Sequence, residues 1–289
     1  MIVANLRSVV YTEVLLYLRR RGVWISMALM IMLGLYVATW ARQAPWAAWG
    51  QFTTTALWVT LLLMFTTGDG ITRDRDLRVE GVLLSTPIAT PVYVAGKYAA
   101  ALLMLIGLAG VSLLTALIAD AFNPWHSAYY YGSGPLIFGD SFFSPLGPWP
   151  YLTGWLALMI MPLVFGAALV LAAITLMRGQ RLVAYGAVLG LWIAPILAVG
   201  WPEWLDVTAS KLTAAHGLGA YSPADRLLWT GINGLNRQAV FAQAYHLALA
   251  HLPPVQPPVF YVNRLVFLGL AAILIMLTTA LVARRRRAA

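Results

Sequence analysis

The side chains best placed to do chemistry lie in one polar island, Asp69–Lys97, reading DGITRDRDLRVEGVLLSTPIATPVYVAGK. Within it Asp74, Arg75, Asp76, Arg78 and Glu80 alternate acid with base, and Lys97 closes the run. The chemistry this offers is ionic recognition. A charged segment with helix-forming residues, held close to a bilayer by apolar runs on both sides, is a docking surface for something outside the membrane. An ordinary loop made basic by membrane topology would account for the arginines, but not for the acids that alternate with them.

Bond-making chemistry finds little support elsewhere. No G-x-x-x-x-G-K-[ST] phosphate loop occurs, and Gly96-Lys97 lacks both the upstream glycine and the following Ser or Thr, so any ATP must be bound by another polypeptide. The four histidines, His126, His216, His246 and His251, lack metal-ligand spacing, and there is no cysteine for a thiolate site or a disulfide. Neither H-E-x-x-H nor G-x-S-x-G appears. No cofactor or metal is therefore expected on this chain.

The elements that position the island are membrane helices. The 289 residues are 61% hydrophobic and only 10% charged, against ~25% charged in soluble chains, and mean hydropathy is +0.78. A soluble fold this apolar could not cover itself with polar surface. Six stretches approach the ~20 apolar residues that a crossing helix needs: about 23–41, 46–67, 96–119, 151–177, 182–200 and 265–283. The fold class expected is an all-α polytopic membrane protein with an interfacial helix over residues 1–22 and a six-helix domain over 23–289. Outer loops then fall at 120–150 and 201–263.

Lys and Arg set the orientation. With both termini inside, Arg7, Arg19, Arg20, Arg21, Arg73, Arg75, Arg78, Lys97, Arg178, Arg181 and Arg284 to Arg287 are cytoplasmic; Arg42, Lys211, Arg226, Arg237 and Arg264 are outside. The net charge of +9 thus reflects topology and anionic lipid, and no nucleic-acid partner is expected. Trp40, Trp46, Trp49, Trp125, Trp149, Trp155, Trp201 and Trp204 would mark the outer interface. The spans are nearly free of charge, with Asp69, Lys97, Asp120 and Arg264 at their ends, so they do not resemble a proton-coupled carrier.

Before the first span, Val3, Leu6, Val10, Val14, Tyr17 and Leu18 recur at helical spacing, with Asn5, Ser8, Thr12 and Arg19 opposite. This predicts an interfacial helix that turns at Gly22, or else a continuation of the first span into water. The second span carries Thr53, Thr54, Thr55, Thr60, Thr66 and Thr67, suited to helix packing or to a polar stripe along a path. In the island, helix formers over 73–84 stop at Ser85-Thr86-Pro87, and Pro91 opens the next helix. The loop 120–150, rich in tyrosine, phenylalanine, glycine and proline, predicts irregular structure at the membrane surface. Pro162 and Pro195 predict kinks in the fourth and fifth spans, and the turn 178–181 joins those spans on the inside. The loop 201–263 shows helical patterning before Pro253-Pro254 and Pro257-Pro258 stiffen the return. Arg284–Arg287 reads as a topology anchor that touches anionic lipid.

The island resembles the first cytoplasmic loop of the type-2 ABC-transporter permeases, the membrane subunits of many bacterial ABC exporters. The matching residues are Asp74-Arg75-Asp76, Leu83-Leu84-Ser85-Thr86-Pro87, and Gly96-Lys97 nine and ten residues past Pro87. Glu80 stands one place earlier than the family's usual glutamate, and Val92 stands where a glutamate is common. The resemblance implies a plasma-membrane permease that works as two chains, identical or different, with two separate ATPase subunits holding ATP and magnesium. It implies that Asp74, Arg75, Asp76, Arg78 and Glu80 dock on the ATPase, with Ser85, Thr86, Pro87, Gly96 and Lys97 shaping the elbow. Arg178 and Arg181 would sit in a minor second contact. The implied cargo is hydrophobic or amphipathic, and the chain itself is not an enzyme. The alternative is a non-transporting membrane scaffold or assembly factor acting through its outer loops.

Overall fold

The computed structural model describes residues 2–41, 73–74, 88–121, 129–130, 135–136, 149–177, 180–197 and 258–288. Among these residues the chain is helical throughout, apart from one pair of two-residue strands. The helices are α1 (Ile2–Leu18), α2 (Arg21–Ala41), α3 (Thr90–Ala121), α4 (Trp149–Leu176), α5 (Arg181–Leu197) and α6 (Pro258–Ala288).

Three of them are long and apolar enough to cross a membrane: Thr90–Ala119, Tyr151–Leu176 and Tyr261–Arg287. These coincide with the third, fourth and sixth expected spans. A fourth crossing is available if α1 and α2, bent by 76° at their junction, count as one broken span. The second expected span, 46–67, lies outside the described residues, as do the expected helices in 201–257.

Two helices form the centre. α3 packs against α1, α2, α4 and α6, and α4 packs against α3, α5 and α6. Of α4's most apolar window 67% is buried, against 22% for α6, so α4 is the core helix and α6 the peripheral one. Without water in a bilayer core, polar side chains between helices must find partners inside the protein. Tyr98 on α3 donates its hydroxyl to the Val164 carbonyl of α4 at 3.0 Å, and Trp155 on α4 donates Nε1–H to the Ala109 carbonyl of α3 at 3.1 Å. Thr175, Thr278 and Thr279 each donate back to the carbonyl four residues earlier on their own helix. Pro162 is buried inside α4, which stays one helical run across it.

Several expectations change here. Trp155, expected among the interface tryptophans, has its indole buried against α3, where its N–H is satisfied by the Ala109 carbonyl. The turn between α1 and α2 falls at Arg19–Arg20, and Gly22 lies inside α2. Val23 N–H donates to the Arg20 carbonyl, so Arg20 starts the new helix, and its guanidinium stands over the buried Tyr17 ring at 5.7 Å from the centroid. The loop 120–150 is not wholly irregular: Tyr129–Tyr130 pairs antiparallel with Pro135–Leu136. Finally, Pro258 opens α6, where a missing N–H costs nothing, and the arginines 284–287 continue that helix beyond the expected span.

Candidate functional site

The helix α1 turns one face onto α3, and that face carries Leu6, Val9, Glu13 and Tyr17 at three- and four-residue spacing. Glu13 is therefore not on the solvent side of an amphipathic helix. It is only 7% exposed, in the middle of the packed face. The approach is close because α3 presents Gly96 there: a Cβ at that position would meet Val9 Cγ1 at 2.6 Å and Val9 Cβ at 2.9 Å. One residue later on α3, Lys97 is 2% exposed and reaches the same spot.

Four charges meet at this point. Lys97 Nζ lies 2.8 Å from Glu13 Oε1 and 2.6 Å from Asp74 Oδ2. Arg73 Nη2 donates to both Glu13 oxygens at 2.8 Å and stands 3.6 Å from Asp74 Oδ1. Tyr93, one turn before Lys97 on α3, donates its hydroxyl to Asp74 Oδ2 at 2.7 Å and places its ring 5.2 Å from Lys97 Nζ. Two acids and two bases sum to zero, which is how so much charge is tolerated away from water. Burial works against the Arg73 charge, yet the Glu13 carboxylate, its hydrogen bonds and Asp74 outweigh it and hold the guanidinium above its ordinary pKa.

The cluster joins three separate parts of the chain: α1 through Glu13, the start of the polar island through Arg73 and Asp74, and α3 through Tyr93 and Lys97. It can hold these parts in register, and its charges are already committed to one another. Among the described residues no three His, Cys, Asp or Glu side chains gather as a metal site would require.

Of the residues singled out in the sequence, the structure brings Asp74, Gly96 and Lys97 together, and turns all three inward. Asp74 is 5% exposed with both oxygens engaged, so its side chain serves the chain's own interior. A charge reversal there would put a third cation against Lys97 and Arg73. Arg181 opens α5 and is half-buried. Arg75, Asp76, Arg78, Glu80, Ser85, Thr86, Pro87 and Arg178 lie outside the described residues. Sequence reasoning did not single out Arg73 or Tyr93 for this site, and it missed Glu13 altogether. Its signal was present: a lone carboxylate at the centre of an apolar face needs a buried cation, and Lys97 at the start of a span needs an anion.

The C-terminal arginines make a second set of contacts at this end of the bundle. Arg285 Nη2 donates to the Thr175 carbonyl at 2.6 Å, and Arg286 Nη1 to the Ile88 carbonyl and, at 3.1 Å, to Thr90 Oγ1. In comparisons with known proteins, no family model matches the chain and no curated protein matches it in sequence.

Proposed function

We propose that the chain is the permease subunit of an ATP-binding-cassette exporter, moving a hydrophobic or amphipathic substrate with ATP hydrolysed by a separate subunit. The observation that carries this reading is the contact between Asp74 and Lys97. These residues begin and end the motif whose sequence resembles the ATPase-docking loop of type-2 ABC permeases. Their ion pair supports treating 75–96 as one mounted unit: pinned at its base to α1 and α3, with Arg75, Asp76, Arg78 and Glu80 as the charges to meet an ATPase.

On this reading the chain has six spans with both termini cytoplasmic, in a bacterial plasma membrane, and pairs with a second permease chain. When the ATPase pair closes on ATP, the docked segment moves. The cluster passes that displacement to α1 and α3 together, and α3, packed on α4, rocks the bundle between inward- and outward-open states. The charges split into two duties: Arg73, Asp74, Glu13 and Lys97 transmit, and the others recognise.

A single introduced cysteine tests this, since the chain has none of its own. With Val79→Cys carrying a short photocrosslinker, illumination of native-host membranes should join the chain to a soluble nucleotide-binding protein. Adding the reversals Asp76→Lys and Glu80→Lys should abolish that product. A crosslink only to lipid or to the chain itself would count against docking, and would favour the scaffold reading.

A further inference from the structure

The four arginines that end α6 do not share one environment. Arg284 and Arg287 are exposed, whereas Arg285 and Arg286 are half-buried and turned toward other helices. Arg285 donates to the carbonyl of Thr175, within the last turn of α4, where carbonyls lack partners in their own helix. Arg286 donates to the carbonyl of Ile88 and to the hydroxyl of Thr90. Ile88 and Ala89 form the approach to α3: Val92 and Tyr93 N–H both donate to the Ala89 carbonyl, leaving the Ile88 carbonyl to Arg286. A lipid anchor needs only the charge of these side chains. A guanidinium placed on two acceptors of one turn is doing something more specific.

Two points in the polar island are thus each gripped from a distant part of the sequence: Arg73-Asp74 and Ile88. The N-terminal helix grips the first through Glu13, which accepts from Arg73, and the C-terminal helix grips the second through Arg286. We infer that the last turn of α6 is a positioning device for the turn 88–90 at the head of α3: Arg286 fixes that turn, and Arg285 ties the fix to α4. The inference concerns where the 88–90 turn is held, and it stands whether or not an ATPase docks on the polar island.

The test compares two variants that remove equal charge. The cysteine-free chain accepts spin labels at Ala89→Cys and Gln180→Cys, both exposed positions, and pulsed electron resonance on the full chain in liposomes reads the distance between them. Replacing the inward pair, as R285Q with R286Q, should broaden that distance distribution by about twofold as the turn is released. Replacing the outward pair, as R284Q with R287Q, should leave it as in the parent. Labelling of Ala89→Cys by a membrane-impermeant maleimide from each side should be the same in both, showing that orientation has not changed. If the inward double variant fails to insert, R286Q against R287Q carries the same comparison with one charge removed. Equal broadening in both variants, or broadening in neither, would overturn the inference, because the tail would then act only as charge.

Discussion

Lys97 is the residue on which the charge cluster depends, because it alone touches both Glu13 and Asp74 at short range. Truncating it leaves two carboxylates facing each other with only Arg73 between them. Removing one member of a buried ion pair typically costs ~3–5 kcal/mol, whereas removing both partners costs far less. Lys97→Met should therefore destabilise the protein by about that amount. Combining it with Glu13→Leu should cost less than the two single changes added together, leaving Asp74 with Arg73. Denaturation of all four proteins in one detergent measures this; additive losses would show that Glu13 and Lys97 are not coupled. The same scale shows what sequence could and could not tell. Lys97 and Asp74 stand out in the sequence as members of a motif, but their inward direction does not, because its cause is an acid on a helix far away in the chain. Glu13 belongs to no motif, and only the packing of α1 on α3 gives it meaning.

At the scale of elements, two glycines that look alike in the sequence differ in what surrounds them. The sequence pattern places the turn into the first span at Gly22, yet Gly22 lies inside α2 with nothing within 4 Å of a built Cβ. Gly96 lies where Val9 of α1 presses on α3. Gly22→Ala should then leave stability unchanged or raise it by ~0.5–1 kcal/mol, as alanine in an open helix site does. Gly96→Ala should lower it by ~1–3 kcal/mol through overpacking, with part of the loss recovered by adding Val9→Ala. Thermal unfolding of the three variants checks the order, and equal effects of the two glycine substitutions would refute the close approach of α1 to α3. Trp155→Phe tests the α3–α4 joint: it keeps the ring and drops the bond to the Ala109 carbonyl, for an expected loss of ~0.5–1.5 kcal/mol. Long apolar runs made α3, α4 and α6 readable in advance, since length and hydropathy alone define a span. The corner at Arg19–Arg20 was not readable. Three successive arginines allow a break at any of them; at the observed corner Tyr17 is buried with the Arg20 guanidinium over its ring.

At the scale of the whole molecule, α3 and α4 form the frame, α1 contacts it beside Arg73 and Lys97, and α6 contacts it at Ile88 and Thr90. Composition established the membrane class, because no soluble arrangement could hide so much apolar surface. It could not reveal that α1 and α6 meet the same segment, since those contacts join residues at opposite ends of the sequence. Residues 73–74 and 88–90 are tied to α1, α3 and α6, which is the support that the proposed permease would need. The most direct measurement is to purify the full chain from its native host in mild detergent and identify what comes with it by mass spectrometry. The account predicts a soluble ATPase with a phosphate-binding loop, present with the parent chain and lost when Asp76 and Glu80 are reversed. Absence of any such ATPase across several detergents, with the chain itself intact and folded, would contradict it.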